Sequence, residues 1–266
     1  MNQTEDKRNK VIGGKYFDRW WIMVVAVVGL ILLLIFSQPD PYKRIFLFVR
    51  EGIWTTVYIT CVSFVLVLFF GLVVALGRLS KVGVIRGIAT VYVEVIRGIP
   101  MLVQLIFWYF AFPSVMQKMG DLLNIQSMMD YRANAVAMAI LGLTVGYSAY
   151  MSEVYRAGIQ SISKGQMEAA RSLGMNYFQA MRYVILPQAV RVILPPVGNE
   201  FITLLKDSSL VSVVAVADMT RRGREFMSAN FIPIQTWVMV ALLYLVMTLL
   251  AARLVTWLER KYKMEK

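Results

Sequence analysis

The 266-residue chain contains no histidine and a single cysteine, Cys61. Without imidazoles, histidine-based metal sites and serine–histidine hydrolytic machinery are both excluded. One cysteine inside an apolar run cannot build a disulfide framework. No G-x-x-x-x-G-K-[ST] segment occurs. Gly13-Gly14-Lys15 is the nearest approach, and it lacks both the spacing and a preceding strand. The chain therefore has nothing to cradle a nucleotide. Its carboxylates are few and unclustered, giving no metal site, and no nucleophile stands beside a base. Any uphill work must draw on an ion gradient or on another polypeptide.

What the chain has in abundance is apolar surface: 58% of residues are hydrophobic and the mean hydropathy is +0.61. That profile belongs to a polytopic membrane protein. Stretches at 20–36, 53–77, 88–112, 133–152, 191–216 and 232–252 are long enough to cross about 30 Å of hydrocarbon. Every backbone polar group in lipid must be satisfied within its own segment, so these stretches are read as helices. The expected fold is an all-α membrane protein with about six transmembrane helices. Trp20, Trp21, Trp54, Trp108, Tyr109, Trp237 and Trp257 mark segment ends, as interfacial aromatics do. The first stretch has 17 uncharged residues and ends on Ser37-Gln38-Pro39, a poor cleavage site, so it is read as an uncleaved helix.

Basic residues set the orientation. With the N-terminus inside, the inner segments hold Lys7, Arg8, Lys10, Lys15, Arg19, Arg78, Lys81, Arg86, Arg156, Lys164, Arg171 and Arg182, and then the C-terminal Arg253, Arg260, Lys261, Lys263 and Lys266. The outer segments hold about half as many, so both termini are expected in the cytoplasm. Arg221, Arg222 and Arg224 dissent, and are read as a surface helix meeting an external partner or lipid headgroups. The net charge of +12 needs no nucleic acid to explain it.

One inner segment, KGQMEAARSLGMNYFQAMRYVILPQA from Lys164 to Ala189, is water-compatible. Good helix formers run from Lys164 to Leu173, and Gly174 is placed to end them as a left-handed cap. Asn176 can cap a second helix running from Tyr177 to Ile185 and stopping before Pro187. Phe178, Met181 and Ile185 would share its apolar face, with Gln179 and Arg182 turned away. From these residues alone the hairpin is either a rigid docking knob or a solvated loop that happens to be helical.

Glu168-Ala169-Ala170, Gly174 and Ile185-Leu186-Pro187 resemble the EAA motif of permease subunits in bacterial ABC importers. Gly165-Gln166, Leu186-Pro187-Gln188-Ala189, Leu194-Pro195-Pro196-Val197-Gly198-Asn199-Glu200-Phe201 and Lys206-Asp207-Ser208-Ser209-Leu210 are similar to the polar amino-acid branch. That branch takes up histidine, glutamine, glutamate or arginine. Upstream, the segments from Glu94 to Gln104 and from Ala149 to Arg156 also match. The likeness covers 45–260. Family members often carry Thr where Ile99 and Ser208 stand, and the helix at 20–36 is an addition to the usual five.

The resemblance implies a type I permease core at 45–260, preceded by an extra helix and a cytoplasmic tail at 1–19. It implies a coupling hairpin at 164–187 that docks on a cytoplasmic ABC ATPase dimer through Gly165, Gln166, Glu168, Ala169, Ala170, Gly174 and Pro187. ATP and magnesium would be bound by that partner, with no cofactor in this chain. A second permease copy or sister permease would complete the path, and a solute-binding protein would deliver a small polar amino acid. The implied location is the bacterial inner membrane.

Ionisable residues inside a membrane are costly and usually face a cavity or a partner. Glu94 with Arg97, and Glu153 with Arg156, sit at i, i+3 and can pair. Asn199 and Glu200 follow Pro195-Pro196, which is expected to kink or unwind the fifth span. Lys206 and Asp207 are neighbours in sequence, so on a helix they point about 100° apart and need separate partners. Each group is a substrate-path candidate or a brace within the bundle. The segment Pro113 to Tyr131, with QKMGDLLNIQSMMD at helical spacing, either meets an external partner or lies on the membrane surface. Two other functions fit a chain of this kind: an ATP-independent secondary transporter or channel, and an assembly or sensor protein with no transport role.

Overall fold

The computed structural model describes residues 19–262. The basic tail expected at 1–19 lies outside them, except that the first helix begins at Arg19. That helix, α1 (Arg19–Ser37), leads through a single residue to α2 (Pro39–Val49), and α3 (Glu51–Leu79) follows. Beyond a short turn stands α4 (Gly83–Gly98), then α5 (Met101–Ile106), which passes through a π-turn at Phe107–Ala111 into α6 (Phe112–Leu123). The small helix α7 (Gln126–Met129) precedes the long α8 (Ala135–Gln160). Next come α9 (Lys164–Ser172), α10 (Tyr177–Ala180), a π-turn at Met181–Ile185 and α11 (Leu186–Asp207). A 3₁₀ segment at Ser208–Val214, α12 (Met219–Asn230) and α13 (Pro233–Tyr262) complete the chain. Among the described residues there is no strand.

Among the described residues, four segments are long and apolar enough to cross a bilayer: Trp20–Ser37, Pro39–Leu79, Ala135–Gln160 and Pro233–Lys261. A fifth is formed only if α4 and the helix from Met101 to Leu123 are one broken span, because they meet at 102°. The helical stretch read over 88–112 is thus broken at Ile99 and Pro100. Ile99 and Pro100 are extended, and proline both lacks an N–H and pushes the preceding residue out of helical geometry. The stretch expected at 191–216 ends as a helix at Asp207 and turns 3₁₀ from Ser208. Its helix, α11, has spanning length but carries Arg191, Glu200, Lys206 and Asp207.

Two further expectations fail along α11. Pro187 does not stop a helix; the chain passes through the π-turn at Met181–Ile185 and enters α11 with Pro187 in its first turn. The Leu186 N–H reaches back five residues to the Met181 carbonyl, a wider turn that makes room for the proline ring. Nor do Pro195 and Pro196 unwind the helix, which runs without a break from Leu186 to Asp207. They do remove the N–H partners of the Arg191 and Val192 carbonyls.

The core has two parts. In one, α3 and α8 pack closely, with Ile59, Val67, Leu143 and Met151 buried alongside Leu105, Leu204 and Val211. A Cβ at Gly71 would come within 2.8 Å of Met151, so this crossing needs a residue without a side chain. In the other, α1, α2, α12 and α13 bury Ile31, Ile45, Val49, Met219, Phe226, Met239 and Val240. Trp21, Val25, Leu33, Phe36, Trp54 and Phe69 stay exposed, an apolar surface of the kind that lipid covers.

The buried Asp218 caps α12 by accepting the N–H groups of Thr220 and Arg221. Burial pushes its carboxyl up from the ordinary range, and those amides pull the other way. The dissenting basic cluster lies on α12 as a helix, but its charges are largely consumed within the chain. Arg221 pairs with Glu225, Arg222 with Glu51 and Glu225, and Arg224 reaches Ser212. The segment expected to be amphipathic after Pro113 is helical, as α6 and α7.

Candidate functional site

The hairpin is built by local chemistry. Helix α9 ends at Ser172 with Leu173 as its C-cap, and Gly174 adopts φ +84°, a conformation that glycine alone enters without cost. The Gly174 N–H donates to the Arg171 carbonyl at 3.0 Å and the Met175 N–H to Ala170 at 3.2 Å. Together these form a Schellman ending that satisfies the last carbonyls. Asn176 then opens the next helix with a reciprocal capping box: its side chain accepts the Gln179 N–H, and its own N–H donates to the Gln179 side chain, both at 2.9 Å. Gly174 and Asn176 act as the sequence indicates.

The buried residues of the hairpin are Ala170, Ala180 and Ile185. Phe178 does not share that face; it is 82% exposed, as Leu173 is 80% exposed. The π-turn shifts the register between Phe178 and Ile185, so their i, i+7 alignment is lost. Glu168 and Ala169 are exposed, Gly165 is open around its Cα, and the Gln188 amide reaches Gln166 at 3.1 Å. The result is a stiff projection whose tip displays Glu168, Leu173 and Phe178.

A cleft lies between the end of α4, α8 and α11. One chamber of about 450 Å³ is lined by Arg97, Tyr150, Glu153, Ala157, Pro196 and Glu200, among others. A second, of about 270 Å³, shares Tyr150 and Glu200 and adds Met101, Tyr147, Thr203 and Asp207. These volumes suit a small solute. The Arg97 guanidinium lies over the Tyr150 ring, 5.3 Å from its centroid. The Tyr147 hydroxyl donates to Asp207 at 2.7 Å. The cleft thus offers a cation stacked on an aromatic face opposite two carboxylates, Glu200 and Asp207.

The structure sorts the candidate residues. It gathers Arg97, Glu153, Glu200 and Asp207 at the cleft. Glu94 is exposed and no ion pair joins it to Arg97 among the described residues, so that pairing is corrected. Arg97 turns to Tyr150 of α8 instead. Asn199 and Lys206 are exposed and line neither chamber. Lys206 and Asp207 do point apart. Glu153 pairs with Arg156 as expected, and it also pairs with Arg78 from the end of α3.

Arg78 was invisible as a partner because it stands 75 residues away in sequence. Tyr147, Tyr150 and Thr203 were also missed; nothing in a membrane helix marks a tyrosine or threonine that faces a cleft. The Arg78–Glu153–Arg156 cluster is mostly shielded, with Arg78 only 12% exposed, and it ties α3 to α8 at the floor of the larger chamber. Removing one partner strands a charge. Arg78→Met and Glu153→Gln should each destabilise the protein by about 2 kcal/mol, and the double variant by about 1 kcal/mol less than the sum. Thermal unfolding in detergent measures this, and strict additivity would show that the two side chains do not act together. No group of three metal-ligating side chains occurs among the described residues.

Comparison with known proteins adds the following. Residues 67–264 match the family described as binding-protein-dependent transport system inner membrane component. The chain is 36% identical over 213 residues to the glutamine transport system permease protein GlnP of Escherichia coli K12, covering 80% of this chain and 92% of that protein. It is 34% identical over 242 residues to the arginine transport system permease protein ArgU of Corynebacterium glutamicum, covering 86% and 75%. Among solved structures, an amino acid ABC transporter crystallised with histidines is 37% identical, with a TM-score of 0.72 over 85% of this chain and 98% of that one. The MetNI methionine ABC transporter, at 20% identity and a TM-score of 0.64, shares the fold.

Proposed function

The chain belongs to the family of binding-protein-dependent transport system inner membrane components, and from that premise we propose that it is the permease subunit of an ATP-driven importer for amino acids. It works as a pair, with itself or a sister permease, in the bacterial inner membrane with both termini in the cytoplasm. A separate ABC ATPase dimer binds ATP and magnesium and grips the hairpin. An external solute-binding protein delivers the cargo. An ATP-independent carrier is not favoured.

One observation carries this reading. Both arms of the hairpin continue into the helices that line the cleft. Helix α8, bearing Tyr150 and Glu153, is separated from α9 by only three residues. The second arm runs without interruption into α11, bearing Glu200 and Asp207. A push on the projection therefore moves the two walls of the cleft relative to each other, and packed helices pass on such shear where a slack loop would absorb it.

The cleft chemistry suggests the cargo. Arg97 suits the carboxylate of an amino acid, and Glu200 with Asp207 suits its ammonium group. Arg78 and Arg156 already engage Glu153. Taken together, Arg78, Arg97 and Arg156 balance Glu153, Glu200 and Asp207 around the cleft, which favours zwitterionic amino acids over acidic or basic ones. The test uses the permease pair with its ATPase and binding protein in proteoliposomes, with ATP hydrolysis followed across the amino acids. Glutamine or another neutral amino acid is expected to stimulate hydrolysis several-fold. Stimulation by none of the amino acids, or by charged ones alone, would overturn the assignment.

A further inference from the structure

The break between α4 and α5 creates a problem that one side chain solves. In a continuous helix the Ile96 carbonyl would bond to the N–H of residue 100, but Pro100 has none. The Ile99 carbonyl belongs to an extended residue and has no helical partner either. Buried backbone oxygens without donors are costly at membrane depth. The Gln104 amide fills both roles: Nε2 donates to the Ile96 carbonyl at 2.8 Å and to the Ile99 carbonyl at 2.9 Å. Gln104 is only 5% exposed, and its Oε1 has no partner among the described residues. Both hydrogens of the amide nitrogen are therefore spent on the break.

The two carbonyls bracket Arg97, the last ionisable residue before the break. Fixing Ile96 and Ile99 fixes the direction in which residue 97 leaves the helix. On the other side, α5 is seated against α8 where α8 has glycines. A Cβ at Gly142 would lie 3.0 Å from Leu105, and one at Gly146 would lie 3.2 Å from the Gln104 Oε1. Gly146 is the neighbour of Tyr147, and Arg97 stacks on Tyr150 of the same helix. Gln104 thus links the bend, the arginine and the aromatic wall.

We infer that Gln104 is a positioning residue of the cleft: it closes the two carbonyls that the break leaves open and so holds Arg97 over Tyr150. This rests on the reading of the cleft as the amino-acid site. It gives the polar side chain in Pro100-Met101-Leu102-Val103-Gln104 a role set by the proline four residues before it.

The test compares the parent complex with Gln104→Met, Arg97→Met and the double variant in proteoliposomes. Methionine keeps the length and loses the donor. Gln104→Met is expected to raise the half-stimulating amino-acid concentration about tenfold, the effect of losing a pair of buried hydrogen bonds, with the maximal hydrolysis rate within about twofold. On the Arg97→Met background it should add less than about twofold, because a residue that acts through Arg97 has nothing left to position. An unchanged response in Gln104→Met beside an impaired Arg97→Met would overturn the inference, as would full additivity.

A second measurement separates this from the cleft reading. Spin labels at Ile88→Cys and Val115→Cys, both exposed positions in a Cys61→Ser background, report the angle of the break. Gln104→Met should broaden or shift their distance distribution. If Arg97→Met proves silent for transport, the cleft reading fails. Gln104 then stands or falls by this distance alone, and an unchanged distribution would refute its positioning role.

Discussion

Glu168→Lys is expected to abolish ATP-driven uptake while leaving the chain in the membrane at ordinary abundance. Glu168 is exposed on α9, and its side chain takes part in no ion pair among the described residues, so reversing its charge costs the fold little. In an interface the same change sets a cation where an anion is wanted. A truncated or reversed charge at the centre of a contact weakens it by about 2–5 kcal/mol, or roughly 30-fold to several thousand-fold. Gly174→Asp acts at the same place by another route. Nothing lies within 4 Å of a Cβ there, so the strain comes from φ +84° and the new charge stands beside the exposed Leu173. The measurement is co-purification with the ATPase together with uptake. Survival of uptake in both variants would show that the hairpin is not the docking element.

Arg97→Met should produce the second large loss, at the opposite end of the machine. The ATPase should still bind and basal hydrolysis should persist, because the hairpin is untouched. The amino acid should no longer stimulate hydrolysis except at about a hundredfold higher concentration, reflecting the loss of one charged partner worth about 3 kcal/mol. Glu94→Gln is the natural control: it lies on the same helix, three residues away, but lines neither chamber. It should leave the response unchanged. Equal losses in both variants would point to general damage to α4, and no loss in Arg97→Met would remove the arginine from the site.

The parts of this molecule that were readable in advance are those settled within a few residues. Gly174 and Asn176 announce their turns because a positive φ and an N-cap are local demands, met by local side chains. The apolar runs are equally plain, since lipid rewards them one segment at a time. The break at Ile99-Pro100 was passed over although proline signalled it, because the surrounding run of apolar residues is unbroken in composition. Glu94 and Arg97 have the spacing of a pair, yet the bend turns Arg97 towards Tyr150 on another helix. Glu153 found one partner at the expected spacing and a second, Arg78, at a distance no pattern could reveal. Tertiary neighbours decide which charge is a brace and which faces the cleft, and a single sequence does not encode them in any local form.

The widened turn at Met181–Ile185 has a consequence for heredity as well as for mechanics. A π-turn is one residue longer than the α-turn it replaces, and every side chain beyond it is rotated by the share of a circle that one residue occupies. Glu200 and Asp207 owe their azimuth to that surplus residue. A lineage that gained or lost one codon in this short tract would swing both carboxylates away from Arg97 together, so the gene has little freedom of length there.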